Sequence, residues 1–378
     1  MLKIVDGVVE VDMEKRPFEM MSTMGCRTYN GFDITSIESY EKNVRAVIEG
    51  KPLYDDVQSG VAKDGRGNIC PVTVILPTLA MQAKEKVYPT EVKKDEYDSA
   101  KVVEAFMKLL DKKINEARDM LLERFDWICS QPAKSANFMY DNKTMHGYVE
   151  QEGVKSALRH GTLVIGQLGL AEALQIILGC DHTSSEGMEL AKRIEQLYKD
   201  KCAKFKKEFK LNFGVYFTPA ESLCYTAMNK FKEKYGEIKN VSDHMFFTNS
   251  IHVPVWKQIT PFKKIDIESK LTGYSSGGCI TYIELDSSAK NNVDAMEDLV
   301  NYAMDCDIPY FAGNLKLDLC VQCGHQDEIG ECCPECGSTD IQRLRRATGY
   351  LTGSYTTAFN PGKQSEVEHR VEHTAIEI

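Results

Sequence analysis

The chain has 378 residues, 43% hydrophobic and 27% charged, so it can bury one large core or two to three smaller ones, and this composition argues against disorder. A formal net charge of -10 argues against a protein whose main task is to cover a nucleic-acid backbone, because phosphate neutralisation needs a basic face. No apolar run approaches the roughly 20 residues of a membrane helix, and the N-terminal segment lacks a signal-peptide pattern, so we expect a cytoplasmic protein.

The first third of the chain combines irregular segments with two clear elements. Residues 41–70 are predicted to be irregular and end in a strong turn signal at 64–68. Residues 71–77 are β-branched, short and bracketed by prolines, which predicts a buried strand. Between residues 99 and 129 the apolar side chains recur at helical spacing. This pattern predicts one long amphipathic helix.

Strands and helices continue to alternate through the middle of the chain. The patterns predict strands at 161–166, 211–217 and 279–285 and helices at 170–178, 185–210 and near 290–304. Thr218 is predicted to be the N-cap of a further helix, with Pro219 in its first position and Gly236 at its end. Repeated alternation of this kind is typical of an α/β fold with parallel strand pairing.

Five of the thirteen cysteines lie between residues 320 and 336. Two C-x-x-C pairs are formed by Cys320, Cys323, Cys333 and Cys336. Four thiolates at this spacing can surround a tetrahedral zinc ion, and a site without an open coordination position has a structural role. Cys332 is the competing ligand, but only Cys333 completes a C-x-x-C pair. The alternatives are free or redox-active thiols, or the zinc ribbon of a nucleic-acid-binding module.

A glycine after the cysteine pairs offers a second kind of chemistry. Gly349 lies in the segment R-A-T-G-Y-L at 346–351, and F-N-P-G-K follows at 359–363. Taken alone, such a glycine is read as a turn residue. An α-carbon radical is the other interpretation, because the carbon is stabilised when it flattens between an amide nitrogen and a carbonyl, and glycine offers least steric resistance.

The order of these motifs resembles the class III, oxygen-independent ribonucleotide reductases, which are glycyl-radical enzymes, over essentially the whole chain. Further matching segments are M-G-C-R at 24–27, G-R-G-N at 65–68, H-G-T-L at 160–163, G-L-A-E at 169–172, T-P-A-E at 218–221 and T-N-S-I-H-V-P-V at 248–255. The resemblance implies a partial ten-stranded glycyl-radical-type α/β barrel at 1–310 with a finger loop near 24–28. It further implies a zinc ribbon at 311–340 and a glycyl-radical loop with a C-terminal tail at 341–378.

The resemblance also implies roles for single residues. Gly349 matches the glycine that stores the radical, and Cys26 matches the cysteine whose thiyl radical removes the 3′-hydrogen of a ribonucleotide. Asn68 matches an asparagine that hydrogen-bonds near the reacting ribose. A polar motif beside the active site, to which no individual roles are assigned, corresponds to Asn249, Ser250 and His252. Without the resemblance, Cys26 is an ordinary thiol, Asn68 a turn residue, and the polar motif a satisfied strand end.

The implied activity is the radical reduction of ribonucleoside triphosphates to 2′-deoxyribonucleoside triphosphates for DNA synthesis. The implied partners are an activating enzyme that uses S-adenosylmethionine and an iron–sulfur cluster, a reductant that is formate or a thiol system, and a second copy in a homodimer. Family members also carry a regulatory cone domain and a first half of the barrel that have no counterpart here. We therefore expect a separate N-terminal reductase fragment as a partner, and no direct nucleic-acid binding or membrane contact.

A second hypothesis belongs to a different class of function. A truncated, catalytically inactive relative could act as a zinc-ribbon binding or regulatory protein. That hypothesis predicts zinc without a radical. The presence of both Cys26 and Gly349 favours the enzyme, because an inactive scaffold has no reason to keep the two together.

Overall fold

A computed structural model describes residues 2–5, 8–11, 23–24, 27–29, 67–90, 92–93, 95–142, 144–145, 147–347 and 350–373. Two predicted site residues, Cys26 and Gly349, lie outside these described residues, as does most of the predicted turn at 64–68.

The strands alternate with helices over most of the described chain. The strands are β1 (Leu2–Val5), β2 (Val8–Val11), β3 (Thr23–Met24), β4 (Thr28–Tyr29), β5 (Asn68–Ile75), β6 (Thr162–Leu168), β7 (Asn212–Tyr216), β8 (Thr281–Leu285), β9 (Phe311–Leu315), β10 (Leu317–Cys320), β11 (Gln326–Asp327), β12 (Ile341–Ala347) and β13 (Tyr350–Thr352). The helices are α1 (Leu76–Val87), α2 (Ser99–Cys129), α3 (Asn137–Asp141), α4 (Lys155–Leu158), α5 (Leu170–Leu178), α6 (Ser185–Phe209), α7 (Glu221–Tyr235), α8 (Pro261–Thr272), α9 (Val293–Asp305), α10 (Tyr355–Ala358) and α11 (Pro361–His369).

Parallel strands form the centre of the fold. β5, β6 and β7 make one parallel sheet in that order, and β8 pairs in parallel with β9. The two groups meet where Tyr216 forms a parallel bridge with Gly278, just before β8. The described strands thus run in the order β5-β6-β7-β8-β9. The predicted α/β fold with parallel pairing is confirmed.

The core lies between this sheet and the helices that cover it. All seven residues of β6 are buried, as expected for a strand in a parallel sheet that is covered on both faces. Helices α1, α2, α5 and α6 contribute their apolar faces to one large hydrophobic cluster. The predicted long helix is confirmed over Ser99–Cys129. Apolar residues that recur over this length at a spacing of about 3.6 residues fit an α-helix and not a strand. No helix in the described part of the chain is long and apolar enough to cross a membrane.

Two predictions near chain turns are wrong. The predicted strand 71–77 ends at Ile75, and its last two residues begin helix α1. Pro77 is tolerated there because the backbone amides of a helix's first turn have no partner within the helix, so the amide hydrogen that proline lacks is not needed. Thr218 is not the N-cap of α7. That helix starts after Ala220, and the Thr218 hydroxyl instead donates to the carbonyl oxygen of Gln167 at 3.1 Å. A hydrogen bond to a residue distant in sequence, Gln167, thus replaces the helix cap that the local pattern predicted for Thr218.

The C-terminal part of the chain is a small antiparallel sheet followed by a helix. Its strands run in the order β11-β10-β12-β13. Helix α11 then packs on α7 so closely that a Cβ on Gly362 would lie 2.5 Å from the Cβ of Tyr225. The last described strands therefore lead directly onto a helix of the α/β body.

Candidate functional site

The four predicted zinc ligands form one compact sulfur cluster. The Sγ atoms of Cys320, Cys323, Cys333 and Cys336 all lie within 4.8 Å of one another. Cys320 and Cys336 are 3.5 Å apart, and Cys323 and Cys333 are 3.6 Å apart. A tetrahedron with metal–sulfur bonds of about 2.3 Å has edges of about 3.8 Å, so the cluster can hold a metal ion. Cys332 is exposed and is not part of the cluster.

A buried carboxylate connects this cluster to strand β12. Asp318, on β10, is fully buried and accepts hydrogen bonds from Arg345 at 2.6 Å and from Arg343 at 3.0 Å. It also accepts from the backbone amide of Ile329 at 3.0 Å, in the loop between the two cysteine pairs. Asp318 therefore connects the cysteine cluster to β12, the strand that precedes the predicted radical glycine in the sequence.

The residue after Cys26 is anchored inside the sheet. Arg27 is fully buried, and one of its guanidinium nitrogens donates to the carbonyl oxygens of Phe217 at 3.0 Å and Thr218 at 3.2 Å. The guanidinium also lies over the ring of Tyr282, 5.8 Å from its centroid. Main-chain acceptors and an aromatic face thus fix the side chain of Arg27, the residue that follows Cys26 in the sequence.

Asn68 lies beside that same segment. Its side-chain amide donates to the hydroxyl of Thr28 at 3.2 Å and to the carbonyl oxygen of Gly277 at 3.1 Å. The next residue, Gly278, has a φ of 131°, and a Cβ there would lie 1.9 Å from the carbonyl oxygen of Arg27. Only glycine permits this approach. The side chain of Asn68 therefore contacts Thr28, which lies two residues after Cys26 in the sequence.

The polar motif at 248–255 is buried at the end of the same sheet. The Asn249 amide lies 3.8 Å from the sulfur of Cys224, on helix α7. Ser250 is fully buried and adopts a φ of 49°, a left-handed conformation that residues with a side chain rarely occupy. The motif is held from behind by Glu172, whose carboxylate accepts from the backbone amide of Thr248 at 2.6 Å. Burial raises the pKa of Glu172 to about 7.

His252 belongs to a buried pair with a carboxylate that the sequence did not reveal. Its Nδ1 atom lies 3.2 Å from both carboxylate oxygens of Glu268, on α8. The ammonium of Lys264 lies 3.8 Å from the same carboxylate, and the amide of Val253 donates to it at 3.1 Å. Burial acts to raise the pKa of Glu268, but His252 and Lys264 outweigh burial and lower it. Burial lowers the pKa of His252, so a neutral imidazole faces an ionised carboxylate at neutral pH.

The residues that flank Gly349 pack against the C-terminal helix. The ammonium of Lys363 lies 5.1 Å from the centroid of the Tyr350 ring. Arg370 donates to the carbonyl oxygen of Arg346 at 2.5 Å. Helix α11 and the residue after it therefore contact Tyr350 and Arg346, which lie on either side of Gly349 in the sequence.

Helix α7 carries one buried thiol, that of Cys224. Burial raises the pKa of Cys224, and the positive charges of Lys363 and Arg27 both oppose that effect. Arg27 follows Cys26 in the chain, and Lys363 lies over the residue that follows Gly349. Two positive charges, one next to Cys26 in the sequence and one over the ring of Tyr350, thus act on the same thiol.

Several residues of this region were not assigned a role by the sequence. They are Arg27, Glu172, Cys224, Glu268 and Lys363. Arg27, Glu172 and Lys363 lie inside motifs that match the family, so the sequence could have indicated them. Glu268 gave a weaker one, as a charged residue among the apolar positions of a short helix. Cys224 gave none.

The family model for anaerobic ribonucleoside-triphosphate reductase matches residues 3–373. The chain is 29% identical over 327 residues to the anaerobic ribonucleoside-triphosphate reductase of Escherichia coli (strain K12), covering 82% of this chain and 43% of that protein. It is 31% identical over 332 residues to the protein of the same name from Enterobacteria phage T4, covering 85% of this chain and 51% of that protein. The chain therefore spans about half the length of the curated relatives that it matches.

Solved structures show the same fold. The anaerobic ribonucleotide reductase from Thermotoga maritima in complex with dATP and CTP superposes with a TM-score of 0.58 at 22% identity, covering 76% of this chain and 43% of that one. At this level of identity the likeness concerns the fold.

Proposed function

Because the chain belongs to the anaerobic ribonucleoside-triphosphate reductase family, we propose that it carries the radical-bearing part of an enzyme that reduces ribonucleoside triphosphates to 2′-deoxyribonucleoside triphosphates. The observation that carries this proposal is a group of buried polar atoms, on Asn68 and on the polar motif at 248–255, that have no hydrogen-bond partner among the described residues.

In the proposed reaction the Gly349 radical takes the hydrogen atom of the Cys26 thiol and leaves a thiyl radical. The thiyl removes the 3′-hydrogen of the ribose, and the 2′-hydroxyl then departs as water. A sulfur suits this relay, since its S–H bond is close in strength to the activated ribose C–H bond and transfer can run in both directions. An activating enzyme that uses S-adenosylmethionine would generate the first radical.

The ribose would lie among buried polar atoms that lack partners. Within the described residues no hydrogen-bond partner is present for Asn68 Oδ1, Asn249 Oδ1, Ser250 Oγ or His252 Nε2. Buried polar atoms are seldom left unpaired, because each such atom costs about 1–3 kcal/mol. Substrate hydroxyl groups supply the partners that these atoms need.

The sulfur cluster is proposed to hold zinc in a structural role. Four thiolates leave no open coordination position, so the metal stabilises the ribbon and does not touch substrate. Through Asp318, the ribbon would fix the direction in which β12 enters the Gly349 loop.

The described sheet also indicates what is needed to complete the enzyme. Its outer parallel strands are β5 and β9, and no further strand of the described chain pairs with their free edges. Unpaired edges of a buried sheet are unfavourable, so the remaining strands of a ten-stranded barrel would come from additional reductase sequence. That sequence would reside on the same polypeptide or on a separate N-terminal fragment. A homodimer and a reductant, formate or a thiol system, complete the proposed assembly.

The test is to express the chain anaerobically with the remaining reductase sequence and the activating enzyme. We expect an electron-spin resonance doublet from a carbon-centred glycyl radical, and its loss in Gly349→Ala. Cys26→Ala should keep the doublet and lose all turnover, because the radical is stored but cannot reach the substrate. Brief exposure to oxygen should cleave the wild-type chain at residue 349, as mass spectrometry would show.

A contrary result is equally clear. Bound zinc without a radical signal in the complete, activated assembly would overturn the proposal and leave the regulatory zinc-ribbon protein as the explanation. A signal that persists in Gly349→Ala would assign the radical to another residue.

A further inference from the structure

The pair formed by His252 and Glu268 has the arrangement of a proton-transfer site. Nδ1 of His252 faces both oxygens of an ionised carboxylate at 3.2 Å, so Nδ1 carries the proton and Nε2 keeps its lone pair. The exposed fraction of the His252 side chain is 7%, and Nε2 has no hydrogen-bond partner in the part of the chain that the structure describes. A basic nitrogen is thus held in a buried site without a hydrogen-bond partner among the described residues.

The carboxylate is fixed in place by its other neighbours. Glu268 is fully buried and also accepts from the amide of Val253, while Lys264 lies 3.8 Å away. The ammonium of Lys264 in turn donates to the carbonyl oxygen of Tyr282 at 2.7 Å. The positive charge of Lys264 therefore balances the negative charge of Glu268. This balance lets Glu268 stay ionised and orient the imidazole of His252.

The imidazole of His252 and the guanidinium of Arg27 both lie beside the ring of Tyr282. The ring centroids of His252 and Tyr282 are 5.7 Å apart, and the Arg27 guanidinium lies 5.8 Å from that same Tyr282 centroid. Arg27 also acts electrostatically on His252. The Nε2 atom therefore belongs to the same buried region as Arg27, which follows Cys26 in the sequence.

This inference rests on the proposed function, in which the hydrogen-atom transfers do not by themselves explain how the 2′-hydroxyl leaves as water. After removal of the 3′-hydrogen, the 3′-hydroxyl must lose a proton and the departing 2′-oxygen must gain one. The products are water and a 3′-keto sugar with its radical on C2′, so one proton moves between neighbouring oxygens with no net uptake. A single imidazole can accept that proton and return it.

We propose that His252 is the proton-transfer residue for this loss of water, accepting the 3′-hydroxyl proton at Nε2 and delivering it to the 2′-oxygen. Glu268 is its positioning residue, which holds the tautomer and stabilises the transient imidazolium. Positioned acid–base groups of this kind contribute about 10²–10⁴-fold to rate. Among the described residues, the charged and titratable groups that act on His252 or face it are Glu268, Lys264, Arg27 and Tyr282. Two further buried histidines, His182 and His373, interact with Glu268.

The experiment uses the complete, activated reductase with a ribonucleoside triphosphate and compares His252→Gln and Glu268→Gln with wild type. His252→Gln keeps hydrogen-bonding groups but cannot titrate. We expect the glycyl-radical yield and zinc content to stay within about twofold of wild type, while kcat falls by about 10²–10⁴-fold and KM changes little. The matched control is Glu195→Gln, which alters an equally buried carboxylate that is paired with Gln167, and we expect it to leave kcat unchanged.

The pH profile separates proton transfer from a purely structural role. Activity requires neutral His252, so kcat is lost as the pH falls through the pKa of His252. The negative charge of Glu268 raises that pKa, and its removal in Glu268→Gln lowers the pKa further. The acid limb of kcat should therefore move to lower pH in Glu268→Gln, together with a reduced plateau. If His252→Gln fails to fold, this displacement alone decides the question.

Each other outcome is decisive against the inference. A His252→Gln enzyme with wild-type kcat would overturn it, as would an acid limb that stays in place in Glu268→Gln. Loss of the glycyl radical in His252→Gln along with turnover would assign a structural role to His252. These results differ from failure of the proposed function, in which the wild-type assembly itself would form no radical or no deoxynucleotide.

Discussion

At the scale of single residues, Arg27 and Thr28 are positioned by a close backbone contact with Gly278, where a side chain would not fit. The carbonyl oxygen of Arg27 lies where a Cβ of Gly278 would be. Thr28 forms an antiparallel bridge with Gly278, and the neighbouring Gly277 accepts from Asn68. A methyl group at this point would push the finger segment away from Asn68.

Gly278→Ala should therefore separate folding from activity. We expect turnover of the complete reductase to fall by more than about 100-fold, since a displacement of about 1 Å of a reacting group has an effect of that size. Zinc content should be unchanged, because the metal cluster is in a different sheet. The control is Gly273→Ala, where nothing lies within 4 Å of the added Cβ and the backbone is helical. Equal activity of the two variants would contradict the assigned contact.

A second residue predicts how stability depends on pH. Glu195 is fully buried against Gln167, and burial raises its pKa to about 8. An unfolded glutamate titrates near 4.3, so between that value and about 8 the folded chain binds the extra proton and stability falls as pH rises. The slope is at most about 1.4 kcal/mol per pH unit. In Glu195→Gln this decline should disappear, as thermal melts at pH 5 and pH 8 would show; an unchanged decline would refute the assignment.

The residue contacts of the site could not be read from the sequence. Asn68 and Thr28 are separated by 40 positions, and His252 and Glu268 by 16. Motif resemblance indicated which residues matter, but a partner such as Glu268 depends on how α8 packs. Thr218 shows the opposite error, since its capping pattern was correct locally and was overridden by a hydrogen bond to Gln167.

At the scale of elements, long periodic segments were predicted well and short ones were not. α2 and α5 were predicted at the bounds observed, because one is a long amphipathic stripe and the other ends at Gly179 in a left-handed conformation. α8 and α11 were missed, although each begins with a capping residue followed by proline, at Thr260 and Asn360. Twelve or fewer residues with mixed polarity give too weak a periodic signal.

The connection between the metal cluster and β12 leads to a prediction at this scale. Asp318→Asn removes the charge that two arginines share and that an amide from the cysteine loop uses. Because loss of one partner of a buried ion pair costs about 3–5 kcal/mol, we expect faster zinc loss to a chelator and a lower glycyl-radical yield. Asp340→Asn, at an exposed position of the same ribbon, is the control. Equal zinc release rates in the two variants would show that Asp318 does not support the cluster.

At the scale of the whole molecule, the resemblance noted in the sequence is confirmed by the family match over residues 3–373. The part of the fold that the sequence predicted best is the alternation of strands with helices and the parallel pairing of the strands. Both follow from the hydrophobic pattern alone. The bridge between β7 and β8 was not predicted, because no local pattern encodes it.

The outer edges of β5 and β9, which no other strand of the described residues covers, predict the behaviour of the isolated chain. Expressed alone, it should self-associate, and amides on the unpaired side of β5 should exchange with solvent within minutes. Addition of the remaining reductase sequence should protect those amides and give a defined complex, as hydrogen exchange and light scattering would show. Full protection in the isolated, monomeric chain would mean that these edges are already covered.

The way in which Arg27 is held has a consequence for divergence among relatives. Its guanidinium binds the main-chain oxygens of Phe217 and Thr218, which every amino acid provides. Drift in the side chains of the scaffold therefore leaves this anchor intact, provided that the arginine itself is kept. An architecture fastened to backbone atoms can tolerate extensive substitution around an unchanged centre, which is compatible with relatives that share 29% or 31% of their residues with this chain.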